Sequence, residues 1–136
     1  MKRKFIKICV AAMSISVLSV VSVFAFQSRN VNYNDQPFST YYMDDYNVSH
    51  HVSGTASVDA AVGWDEGYSG WIISAYFPKP CVTIDGMSAD INYVGTTEIS
   101  GSSAYQEFSI NNTTHSVRPT VVCDEYGDTY FRVKSW

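Results

Sequence analysis

Hydrophobic and polar residues alternate through most of this chain. Between residues 48 and 62 one set reads Val48, His50, Val52, Gly54, Ala56, Val58, Ala60 and Val62. The other reads Ser49, His51, Ser53, Thr55, Ser57, Asp59 and Ala61. A period of two places these sets on opposite faces of a strand, one toward a core and one toward water. The run is long for a single strand, so Gly54 is expected to mark a bulge or a bend. Residues 71–77 form the next strand, with Trp71, Ile73 and Ala75 on one side. Pro78 and Pro80 end it, because neither can donate to a ladder.

Residues 81–84 and 87–94 flank Asp85-Gly86, a strong short-range hairpin signal. Residues 96–100 make a short strand, and 104–110 alternate again through Ala104, Gln106, Phe108 and Ile110. A polar loop at 111–115 follows. Residues 117–123 and 129–134 pair around Asp124-Glu125-Tyr126-Gly127-Asp128, with Gly127 where the turn needs positive φ. No helical period appears after the N-terminal segment. About seven or eight strands with turn signals about every 8–12 residues predict an all-β fold, a small antiparallel β-sandwich or alternatively a small barrel.

The first 25 residues break this pattern. Lys2, Arg3, Lys4 and Lys7 precede an uncharged run over 8–24, and the segment ends Val23-Phe24-Ala25. This is the layout of a secretory signal peptide cleaved after Ala25. Ser14, Ser16, Ser19 and Ser22 lower the affinity of the run for a membrane. Cys9 lies near its start, so no lipid anchor is expected, and residues 131–136 carry neither an apolar tail nor a wall-sorting motif. The expected organisation is a leader at 1–25, a polar extended arm at 26–45 with a short strand at 38–42, and one β domain at 46–136. The expected location is extracellular, with no stable membrane anchor after cleavage.

Removing the leader changes the charge. Four of the nine basic residues lie in it and no acid does, so five cations remain against thirteen acids, a balance of −8. Such a surface repels phosphate backbones and anionic lipid, and no nucleic-acid partner is expected. Cys81 and Cys123 are the two cysteines beyond the leader, an even number that suggests one disulfide in an exported chain. The bridge would close a loop of 43 residues, which would contribute about 4 kcal/mol.

Candidate chemistry is sparse. Gly67-Tyr68-Ser69-Gly70 starts like a nucleophile elbow, but Trp71 follows and no helix does. His50 and His51 are adjacent, so a regular strand points them to opposite faces and they cannot share a metal. His50 falls on the apolar face, where a satisfied core histidine is expected. Asp44-Asp45, Asp65-Glu66 and Asp124-Glu125 with Asp128 are read as soluble hairpin tips, since their spacing is not that of an EF-hand. No catalytic residue, metal or cofactor is assigned. Asn47-Val48-Ser49, Asn111-Asn112-Thr113 and Asn112-Thr113-Thr114 fit the N-glycosylation pattern and are read as polar turns in a bacterial chain. Aromatic residues carry more weight, because all ten tyrosines and all three tryptophans follow the leader. Tyr41, Tyr42, Tyr46, Trp64 and Tyr68 sit among hydrogen-bonding neighbours and form the candidate binding surface, suited to sugar faces or a protein.

Ser39, Tyr41, His50, His51 and Trp136 resemble the Tyr/Ser/His-rich early segment and aromatic C-terminus of small exported β proteins of the lactococcin 972 kind. The two cysteines, the acidic charge and the longer chain depart from that pattern, and no functional residue is carried over. The expected function is non-enzymatic binding to a cell-surface protein or glycan. A bacteriocin-like secreted effector is the alternative, and a small secreted hydrolase comes third.

Overall fold

Alternating side chains become nine strands. The computed structural model describes residues 27–136, with side chains from residue 28. The expected leader and Cys9 lie outside the described residues. The strands are β1 (Gln27–Met43), β2 (Ser49–Asp65), β3 (Gly70–Tyr76), β4 (Cys81–Ile84), β5 (Met87–Ser88), β6 (Ile91–Ser100), β7 (Ser103–Ile110), β8 (Ser116–Cys123) and β9 (Thr129–Ser135). One antiparallel sheet runs β1-β2-β4-β5, with β3 also paired to β2, and a second runs β6-β7-β8-β9. Together they form a small β-sandwich. Among the described residues no helix is long and apolar enough to cross a membrane.

Ser28–Gly63 and Trp71–Trp136 form one compact unit. Its core lies between the sheets. Val52, Val58, Ala60 and Val62 from β2 meet Ile73, Phe77, Val82, Ile91, Ala104, Phe108, Ile110, Val117, Val121 and Cys123. The inward set on β2 is the one alternation predicts. The Trp64–Gly70 turn forms a separate unit with its own hydrogen bonds. There Asp65 Oδ1 accepts from the Gly67 and Tyr68 N–H groups at 2.9 and 3.2 Å.

Three differences from expectation have physical causes. The polar arm is a strand of 17 residues, β1. Val31 and Tyr33 face the core at odd positions, whereas Phe38 and Tyr42 do so at even positions. The phase slips by one residue around Asp35, whose φ of 48° marks the irregularity and whose N–H donates to Ser57 Oγ at 2.9 Å. Read in a single phase, the segment shows no alternation. Second, the strands expected at 87–94 and 96–100 are instead the two-residue β5 and a continuous β6. β6 bulges between Val94 and Glu98, and the buried Gln106 fills the bulge, donating to Val94 and Gly95 carbonyls at 3.2 and 3.4 Å.

Third, the bridge expected between Cys81 and Cys123 is not formed. On β4 the inward position belongs to Val82, so Cys81 points outward and is exposed. Cys123 lies on the inner face of β8, buried beside Val121. Burial pushes the Cys123 thiol up, and Asp124 and Asp128 add to the shift. Iodoacetamide is expected to label Cys81 in the native protein and Cys123 only after unfolding, with an intact mass unchanged by reduction. A loss of 2 Da on oxidation of the folded chain would restore the bridge.

β1 lies along β9 through side chains rather than a backbone ladder. Arg29 donates to the Gly127 carbonyl. The Tyr33 hydroxyl donates to the Thr129 carbonyl at 3.0 Å, and its ring stacks on Phe131 at 5.3 Å. Ser135 Oγ donates to the Tyr41 carbonyl at 3.1 Å. The sheets thus stay separate, and the barrel alternative is not realised.

Candidate functional site

Two tight turns and one histidine build a polar cluster at one end of the sandwich. The chain between β1 and β2 reverses at Asp44-Asp45-Tyr46-Asn47-Val48. Asp44 Oδ1 accepts from the Tyr46 and Val48 N–H groups at 2.8 and 2.9 Å, and Asn47 takes a left-handed φ of 61°. A second turn, Asp85-Gly86, joins β4 to β5 with φ of 50° and 83°, the two positive values of a type I′ hairpin.

His50 joins them. Its Nε2 lies 2.8 Å from Asp44 Oδ2 and its Nδ1 lies 2.7 Å from Asp85 Oδ2. Asp85 Oδ1 accepts the backbone N–H of His51 at 2.9 Å. Both ring nitrogens therefore face carboxylates, which favours the imidazolium and holds His50 above its usual range, Asp44 first and Asp85 second. The same bonds hold Asp44 and Asp85 below the ordinary carboxylate range. Tyr42 stacks between two rings, with centroids 5.2 Å from His50 and 4.1 Å from His115. Burial, and then the charges of Asp85 and Asp44, raise the Tyr42 phenol. His50 does occupy the core-facing side of β2, as alternation predicts. It sits half-buried at the mouth of the sandwich and is an ion-pair partner rather than a core histidine.

On the outer face of the same sheet, Ser39 Oγ and His51 Nε2 share a hydrogen bond of 2.7 Å, and the Tyr41 ring lies 4.9 Å from the His51 ring. The Ser–His contact has the spacing of a nucleophile and a base. Among the described residues no carboxylate bonds the other nitrogen of that ring. Asp85 engages the His50 ring and the His51 backbone instead. His50 and His51 point to opposite faces, and among the described residues no group of three or more His, Cys, Asp or Glu side chains is placed to hold a metal ion.

The candidate aromatic residues divide. Tyr41 is 60% exposed and Tyr46, at the tip of its turn, 87%. Tyr42 is half-buried in its stack. Met43 and Val48 are exposed on the same hairpin. In the separate Trp64–Gly70 turn, Tyr68 is exposed and Trp64 half-buried.

The first aspartate of each acidic pair braces its own turn. Asp124 repeats the bonding of Asp44: its Oδ1 accepts from the Tyr126 and Asp128 N–H groups at 2.9 Å each, and its Oδ2 accepts from the Tyr130 hydroxyl at 3.0 Å. Gly127 takes the place of Asn47, with φ of 85°. A Cβ there would lie 2.6 Å from the Trp71 ring, so no side chain fits. Aligning Asp44-Asp45-Tyr46-Asn47 with Asp124-Glu125-Tyr126-Gly127 would have revealed the shared turn, and with it the ring-bearing residue six positions after each aspartate. No protein family, curated protein or solved structure matches this chain.

Proposed function

We propose that this chain is a secreted, non-enzymatic β-sandwich that binds a protein or glycan at a cell surface through the β1–β2 hairpin. The observation that carries this reading is the exposure of Tyr41, Met43, Tyr46 and Val48 within eight residues of one hairpin. The turn beneath them is fixed by Asp44 and His50, so the rings are presented with little ordering cost on binding. Tyrosine adds a hydrogen-bonding hydroxyl to a large apolar face, the combination that dominates binding hot spots.

Labelled protein should bind bacterial cells or isolated envelopes. Tyr41→Ala and Tyr46→Ala should each weaken that binding by about tenfold or more, with stability changed by less than about 0.5 kcal/mol because both rings are exposed. Unchanged binding in the double variant would refute the reading. A glycan array separates sugar from protein partners. The effector reading has one supporting observation: of the positions that resemble the lactococcin 972 kind, Ser39 and Tyr41 both contact His51. Growth inhibition of related cells by the purified chain would favour it over adhesion.

A further inference from the structure

Among the described residues, the outer face of β9 gathers the free positive charge. β9 turns Phe131 and Val133 inward, so Tyr130, Arg132, Lys134 and the following Trp136 share the exposed face. Residues two apart on a strand lie about 6.6 Å from each other, which gives a row about 20 Å long. On β8, Arg118 pairs across the ladder with Lys134. Its guanidinium lies 4.3 Å from the Tyr105 ring centroid and 4.2 Å from that of Trp136, and it donates to Glu107 at 3.3 Å.

Three of the five cations among the described residues are engaged. Arg29 donates to the Gly127 carbonyl, Lys79 to Asn92 at 3.4 Å, and Arg118 to Glu107. Arg132 and Lys134 are exposed and have no ion pair or hydrogen bond among the described residues. A ring stands at each end of this pair. Tyr130 is held by Asp124, and Trp136 is held by Arg118. Edge strands often carry a lysine to deter pairing with other chains. That role accounts for one outward lysine, but not for two cations bracketed by rings that are themselves held by Asp124 and Arg118.

We propose that this face binds an acidic glycan, a chain of sugars bearing carboxylate or sulfate groups. Tyr130 and Trp136 offer flat apolar faces to the sugar rings. The planar fork of Arg132 suits bidentate recognition of a carboxylate or sulfate, and Lys134 adds a point charge. Arg118 is a positioning residue that holds Trp136 in place. Charge density selects the polymer. Duplex DNA carries a charge every about 1.7 Å, which two cations about 6.6 Å apart match poorly. The thirteen acids of the chain also oppose a dense polyanion at long range. A chain of uronate sugars carries one carboxylate on each acidic sugar, so its charges lie about one sugar ring apart.

The test uses the full chain in solution with four probes: an oligogalacturonate, a heparin-derived oligosaccharide, a neutral oligogalactan and a single-stranded oligodeoxynucleotide. At least one acidic oligosaccharide should bind, with affinity falling as salt rises, and the neutral one should not. The carboxylate-only and sulfate-bearing arms identify which anion is preferred. Arg132→Glu with Lys134→Glu should weaken binding tenfold or more at an unchanged melting temperature. Arg132→Gln with Lys134→Gln carries the same test if charge reversal disturbs folding. Trp136→Ala and Arg118→Ala should both weaken binding, and Arg118→Lys should recover it only in part. The proposal is overturned if neither acidic oligosaccharide binds, if the neutral one binds as well, if the oligonucleotide binds more tightly, or if removing both charges changes nothing. This face belongs to the opposite sheet from Tyr41. Tyr41→Ala with Tyr46→Ala should leave oligosaccharide binding intact, so the two sites stand or fall separately.

Discussion

A methyl group at Gly54 is expected to lower the unfolding free energy by about 3–5 kcal/mol, a large share of what a domain of this size has. Gly54 pairs with Val82 across the β2–β4 ladder. A Cβ there would lie 1.8 Å from the Cys81 carbonyl oxygen and 3.1 Å from the Val82 Cα. Both obstacles are backbone, so no rotamer change relieves the contact. The φ of 153° is itself a conformation that side chains disfavour, at about 1–3 kcal/mol. Relief requires β4 to move, which breaks a register of four pairs from Val52↔Ile84 to Thr55↔Cys81. It also withdraws the buried Val82 from the core and Asp85 from His50. Gly86→Ala and Gly95→Ala are the controls, because a Cβ at either position meets nothing within 4 Å. Their positive φ alone should cost about 1–2 kcal/mol. Urea or thermal unfolding of the three variants decides the matter. A Gly54→Ala midpoint no lower than that of the controls would show that β4 does not approach β2 this closely.

That close approach also shows what kind of feature alternation exposes. The β2 pattern was legible because one face is buried at Val52, Ala56, Val58, Ala60 and Val62, so its period survives over that span. Gly54 was expected to mark a bulge or a bend, yet β2 is continuous from Ser49 to Asp65 and keeps an unshifted register with β4 through Gly54. The reason a glycine stands there, a carbonyl from a strand almost thirty residues later, could not be read locally. β1 was illegible because its phase slips at Asp35. The two halves bury Tyr33 and Phe38 from positions of opposite parity, and the polar residues between them look like an arm. The cysteine expectation failed on the same rule that made the strands readable. Moving one residue along β4 exchanges inside for outside, and Val82 rather than Cys81 takes the inner place. At the candidate site, Tyr41 and Tyr46 were readable as exposed rings beside turn-forming residues. The partners of His50 were not, because Asp44 and Asp85 come from different hairpins and meet only when β4 docks on β2.

The stability advantage of wild type over His50→Gln is expected to be greatest in mildly acid solution and to shrink as pH rises. A neutral imidazole can donate from only one ring nitrogen, so it satisfies Asp44 or Asp85 and leaves the other facing a lone pair. Imidazolium donates to both. The folded-state pKa of His50 is raised above its ordinary 6.5. Its contribution is therefore complete below about pH 6.5 and lost as pH climbs through the raised value. Asp44 and Asp85 are lowered from 3.8, so their contribution is complete above that pH and lost as pH falls through their depressed values. All three charges stabilise the fold together between roughly pH 4 and 6.5. The Tyr42 phenol, raised from 10.0, stays neutral throughout. His115, on the far side of Tyr42, is present in both proteins, so the difference between their profiles isolates His50. The melting temperature of wild type should fall relative to that of His50→Gln as pH rises from 6 to 9. Parallel profiles would mean that His50 is not held between the two carboxylates. The functional consequence follows from which bond is lost. If deprotonation releases Asp44, the turn that presents Tyr46 loosens, and binding through the β1–β2 hairpin should weaken over the same pH interval in wild type but not in His50→Gln.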